Sequence, residues 1–126
     1  GLNGEVIQCG WSDVSGYDGF LKLISINPAV TAVCCVNDQV AYGVCKAVNE
    51  LGKKVGVDVS VIGFGDTKYS RDFEYQITSV RIPPERVARE LWRALRLEIE
   101  SPFTDPATVL VEAELIVRET TGKIQN

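Results

Sequence analysis

The chain has no histidine and no methionine among its 126 residues. Without histidine the commonest general base of acid–base and nucleophilic catalysis is missing. The same absence, with no C-x-x-C pair among the four cysteines, argues against a zinc site, so no metal is expected. The missing methionine, with Gly1 at the head, reads as a piece of a longer protein. No apolar run approaches the roughly 20 residues that cross a bilayer. The opening GLNGEVIQCG has neither a basic flank nor a long apolar stretch, so neither a membrane segment nor a signal peptide is read. Cationic surplus is also lacking, since 13 Lys and Arg face 17 Asp and Glu for a net charge of −4. That balance argues against this segment gripping nucleic acid, because phosphate binding needs a cationic face. There is no G-x-S-x-G elbow and no G-x-x-x-x-G-K loop, and Gly63-Phe64-Gly65 lacks the third glycine of a dinucleotide site. Nothing points to paired catalytic carboxylates. The chain is therefore not read as an enzyme, and no cofactor is expected.

What is present suits one globular domain: 45% hydrophobic and 24% charged residues. Cys34 and Cys35 are adjacent in an apolar run. With Cys9 and Cys45 they read as buried, reduced thiols, which favours a cytoplasmic over a secreted protein.

The spacing predicts a short strand over residues 5–9 and a helix capped by Ser12 through residue 25, with Tyr17, Phe20, Leu21 and Ile24 on one face. Gly16 and Gly19 weaken that helix. Residues 31–36 form a continuous β-prone run, as in a parallel strand covered on both faces. Asn37-Asp38 opens a second helix through Leu51, with Ala41, Val44, Val48 and Leu51 as its buried stripe. Residues 58–64 read as another buried strand and 65–76 as a polar loop carrying Tyr69, Phe73 and Tyr75. Ile77 to Val80 is a short strand. Pro83 or Pro84 begins a helix to about Glu100, with Val87, Leu91, Leu95 and Ile99 on one face. Its exposed side carries the pairs Glu85/Arg89 and Arg96/Glu100. Thr108 to Val117 is one or two strands, and residues 122–126 are a loose tail.

Strand and helix alternate as βαβαβ through residue 64. This is an α/β fold with an open parallel Rossmann-like sheet and flanking helices. Such sheets take ligands in the crevice at the carboxyl ends of their strands. Trp11 follows the first strand, where it either stacks on a sugar or base or closes the edge of the sheet. Asn37, Asp38 and Gln39 follow the second. One of them caps the helix, and together they also make a hydrogen-bonding set for a hydroxyl-rich ligand. Asp66 and Thr67 follow the third, where Asp66 either accepts from ligand hydroxyls or organises its own turn. The ligand-binding candidates are thus Trp11, Asn37, Asp38 and Asp66.

Four strings carry a family resemblance. Residues 36–43, VNDQVAYG, are similar to the "ANDQMALG" stretch of LacI/GalR-type transcription regulators, and residues 58–67, DVSVIGFGDT, to their "DVSVVGFDDT". Residues 77–81, ITSVR, resemble "LTTVRQ", and residues 115–121, LIVRETT, resemble "ELVVREST". Order and spacing agree from about residue 5 to 121. The resemblance implies a type I periplasmic-binding-protein fold in which a small molecule, a sugar or similar, is held between two subdomains. Residues 1–126 are then a partial effector-binding domain, mostly the second subdomain, with a crossover helix at about 83–100 and C-terminal strands. The N-terminal helix-turn-helix that contacts operator DNA is not in this segment. Nor is a central strand of the sheet. That gap predicts strand exchange with a second copy, or rearrangement of the remaining strands to close it.

In residue terms the resemblance places an aromatic ligand contact at Trp11 and a polar one at Asn37. Two positions depart from it. Gly65 stands where an aspartate is usual and Ile82 where a glutamine is common, which counts against a simple sugar. The implied homodimer surface includes Tyr42, Cys45 and Phe73, although lone surface aromatics account for them too. The leading expectation is the effector-binding and dimerisation segment of a cytoplasmic transcription regulator of repressor type. The alternative is a fragment of a sugar-binding protein of an ABC transporter.

Overall fold

A computed structural model of the chain describes residues 4–101 and 108–123. Helix α1, Asp13–Ile26, begins at Ser12, whose Oγ accepts the Ser15 amide at 3.2 Å, as a serine N-cap should. Its inward face is Gly16, Phe20 and Leu23. Leu21, expected inside, is exposed and Leu23 takes the core position. Strand β1 is Ala32–Cys34. Helix α2, Asp38–Glu50, is capped by Asn37, whose Oδ1 accepts the Val40 amide at 2.7 Å. Ala41, Val44 and Val48 are buried as expected, with Cys45 and Ala47 beside them, while Leu51 lies past the helix end and is exposed.

Gly16 of α1 and Gly43 of α2 mark where the two helices touch. A Cβ on Gly16 would meet the Val40 carbonyl of α2, and one on Gly43 of α2 would meet the Asp13 carbonyl of α1. The helix propensity lost to glycine is the cost of bringing the backbones into contact.

Strand β2, Ser60–Phe64, pairs parallel with β1, and β3, Thr78–Arg81, pairs parallel with β2. Between them lies the four-residue helix α3, Lys68–Arg71, inside the segment expected to be loop. Helix α4, Pro84–Glu100, starts with Pro84 at its first position, and Arg96 and Glu100 pair at 3.1 Å on its exposed side. Strand β4, Glu114–Ile116, returns antiparallel to β3, giving the order β1-β2-β3-β4. Residues 124–126 of the expected tail lie outside the described residues, whereas Gly122 is held by its amide to Ser60 Oγ at 3.3 Å.

Three expectations are corrected. Residues 5–9 form no strand. They lie along α1, with Cys9 against Gly19 and Ile7 on the core. A strand needs a ladder partner, and among the described residues no strand pairs with the outer edge of β1. Second, β1 is not covered on both faces. The register puts Ala32, Cys34, Phe64 and Leu115 on one face, and all four are exposed. The other face is buried, with α2 packed over Val61 and Ser79 at the core. Third, Cys9 and Cys34 are exposed, not buried. Burial pushes the thiols of Cys35 and Cys45 up to about 12, so those two remain protonated.

Candidate functional site

The carboxyl ends of the strands bring together Asn37, Asp38, Gly65, Asp66 and Arg81, with Trp11 tied alongside. Trp11 is 70% exposed, and its carbonyl accepts from Asn37 Nδ2 at 3.1 Å. Its ring is available for stacking and does not serve as a core aromatic. Asn37 caps α2 and tethers residue 11 with the two ends of one amide, and each end keeps a further hydrogen-bonding valence.

Asp38 and Asp66 are differently placed from what a direct ligand contact requires. Asp38 is fully buried; its Oδ2 accepts the Thr67 amide and its Oδ1 the Ser79 hydroxyl, both at 2.5 Å. It pins the start of α2 to the loop after β2 and to β3. Asp66 is also buried. Its Oδ2 meets Arg81 Nε at 2.6 Å and its Oδ1 meets Arg118 Nη2 at 2.6 Å, with Ser70 Oγ donating to Oδ1 at 3.0 Å. Burial works to raise the Asp66 carboxyl, but Arg118, Arg81 and Ser70 together outweigh it and hold the group at about 2. Both carboxylates are buried and bonded within the protein, where they organise the strand ends.

Gly65 has φ +112°, a backbone conformation closed to ordinary side chains. Asp66 follows at φ +49°, held there by its amide on Ser79 Oγ and by its two arginines. The usual aspartate is therefore not merely replaced at 65; the backbone there has taken a form that does not suit one.

The dimer candidates separate. Tyr42, Tyr69, Phe73 and Tyr75 form one aromatic cluster, with Tyr42 and Phe73 centroids 5.2 Å apart and Tyr69 stacked on Phe73 at 5.0 Å. Tyr42 is half-buried and Phe73 is 40% exposed, so both reach the surface. Cys45 is fully buried in the core and is withdrawn as an interface residue.

Sequence reasoning overlooked Ser70, Ser79, Arg81 and Arg118. A usable signal existed: an arginine closes each of two apolar strands, at 81 and 118, beside an aspartate ending a third. Among the described residues no group of acidic or thiol side chains is placed to hold a metal ion, and no helix is long and apolar enough to cross a membrane. An open hollow of about 560 Å³ along α4 and another of about 240 Å³ near Thr31, Asp58 and Ser60 contain none of the ligand candidates. The candidate ligand contacts converge at the strand ends, outside both hollows.

The model of the periplasmic binding protein-like domain matches residues 4–121. The HTH-type transcriptional repressor PurR of Yersinia enterocolitica is 33% identical over 113 residues, which cover 90% of this chain and 33% of that protein. A transcriptional regulator CelR in complex with cellobiose superposes with a TM-score of 0.80 at 29% identity, covering 89% of this chain and 34% of the other. A lac repressor dimer bound to operator and the anti-inducer ONPF gives 0.79 at 28%, covering 91% and 40%. The chain thus spans about a third of the length of the curated relatives it matches. This chain belongs to the periplasmic-binding-protein-like domain family, in the form carried by LacI/GalR-type regulators.

Proposed function

We propose that the chain is the effector-binding and dimerisation segment of a DNA-binding transcription regulator of repressor type, acting in the cytoplasm and without enzymatic activity. The observation that carries this reading is the match along residues 4–121 to a domain that repressors carry, with its polar residues gathered at the strand ends. Operator DNA is contacted through another part of the protein, since this segment is acidic. The transporter reading is not favoured, because these relatives are regulators.

The effector is less polar than a polyhydroxyl sugar. Sugar sites use carboxylates and amides whose charge-assisted hydrogen bonds contribute roughly 1.5–3 kcal/mol each. Here Gly65 offers none, Ile82 is apolar, and Asp38 and Asp66 are already engaged. Trp11 and Asn37 remain, a stacking face beside an amide. That pair suits a planar ring with a few polar edge groups. Thermal unfolding of the full-length protein against sugars, nucleosides and aromatic acids tests this, because a ligand of the native state raises the midpoint. A shift with a planar ligand supports the reading, and a shift with a simple sugar alone overturns the ligand class.

A further inference from the structure

Outside α4, the ion pairs among the described residues converge on one point. Asp66 takes Arg118 and Arg81, and Arg81 Nη1 also lies 3.6 Å from Glu114 Oε2. Arg81 is the last residue of β3, where the chain leaves the sheet for α4. Glu114 is the first residue of β4, where it comes back, and the two face each other in the ladder. Asp66 sits two residues beyond the end of β2 at Phe64. One guanidinium therefore spans the outgoing crossing, the returning crossing and the candidate ligand end.

The two arginines are held unequally. Arg118 is mostly buried and also donates to the Ile77 carbonyl at 2.7 Å, so it belongs to the fixed body of the sheet. Arg81 is 42% exposed, and its remaining partner, Glu114, is largely in solvent. Beyond the crossing, α4 buries none of its residues.

We propose that Arg81 is a positioning residue that latches the crossing at residues 82–83 to Asp66. What the latch serves rests on the effector-binding reading above; the latch itself does not. With Arg81 bound to Asp66, residues 82–83 are held against the strand end. With that pair broken they pivot, while Arg118 keeps Asp66 and the sheet in place.

The test is hydrogen exchange on the full-length protein without any ligand, comparing wild type, Arg81→Gln, Arg81→Lys and Arg118→Gln. The latch predicts exchange at residues 87 and 88, the first bonded amides after the crossing, about tenfold faster in Arg81→Gln, with the amides of α2 unchanged. Arg81→Lys restores most of the protection, and Arg118→Gln loosens β3, β4 and the core together. Unchanged exchange at 87 and 88 in Arg81→Gln overturns the proposal, as does a uniform rise that includes α2. Because no effector is added, failure here is separate from failure of the effector reading.

Discussion

Asp38 is the residue on which three segments depend, and its burial makes its partners matter more than its charge. Removing a buried acceptor leaves the Ser79 hydroxyl and the Thr67 amide unpaired at a cost of about 1–3 kcal/mol each. Asp38→Ala is expected to lower stability by roughly 2–4 kcal/mol, read as a drop in the urea midpoint. A loss under about half a kcal/mol would show that these bonds do not hold the strand ends. Asp66 makes a prediction in pH. Its folded pKa of about 2 lies below the ordinary 3.8. The stability it contributes is therefore full above about pH 4 and is lost as pH falls towards 2. Its size is on the order of 1–2 kcal/mol, allowing for solvent at half-exposed Arg81. Arg118→Gln should flatten that acid limb in a pH series of urea melts; an unchanged limb contradicts the ion pair. Gly65→Asp should not recover sugar binding and should cost about 1–2 kcal/mol through its backbone conformation.

At the level of elements, the α1–α2 contact rests on Gly16 and Gly43. Gly43→Ala places a methyl against the Asp13 carbonyl and should cost roughly 2–4 kcal/mol, with α1 the first element to lose exchange protection. Equal loss across the sheet would put the cause elsewhere. These elements were largely legible in the sequence. Ser12 and Asn37 are start signals that accept an amide of their own next turn, Pro84 is one through its fixed φ at the first helical position, and each opens its helix as expected. The β-prone runs ending near Cys34, Phe64 and Arg81 are strands in the expected order. What failed depends on partners distant in sequence. Residues 5–9 have the composition of a strand but no ladder to join. Leu21 and Leu23 are equally apolar, and only the position of α2 decides between them. Of the site, the location at the strand ends could be read. The internal use of Asp38 and Asp66 could not, because it needs Ser79, Arg81 and Arg118 brought from as far as 52 residues away.

The described residues leave large apolar side chains bare on the sheet and on α4. Phe64 and Leu115 on the sheet, with Leu91, Leu95 and Ile99 on α4, are exposed large hydrophobics, and the outer edge of β1 has no described partner. Apolar faces and unpaired edges associate. The isolated 126-residue polypeptide should sediment as a dimer or larger species at micromolar concentration and dissociate on dilution. A monomer at all concentrations, unfolding cooperatively, contradicts that expectation. The central claim is that the strand ends form a ligand site built on Trp11. Only Trp11 and Trp92 emit as tryptophan in this segment, so the most direct measurement is Trp11 emission in the full-length protein carrying Trp92→Phe and lacking any tryptophan elsewhere. It is titrated with adenosine, guanosine, benzoate, ribose and cellobiose. The account predicts a saturable change with a planar ligand, and a loss of affinity of about tenfold or more in a Trp11→Ala variant followed calorimetrically. Calorimetric binding of any of these that leaves Trp11 emission and the Trp11→Ala affinity unchanged would contradict it.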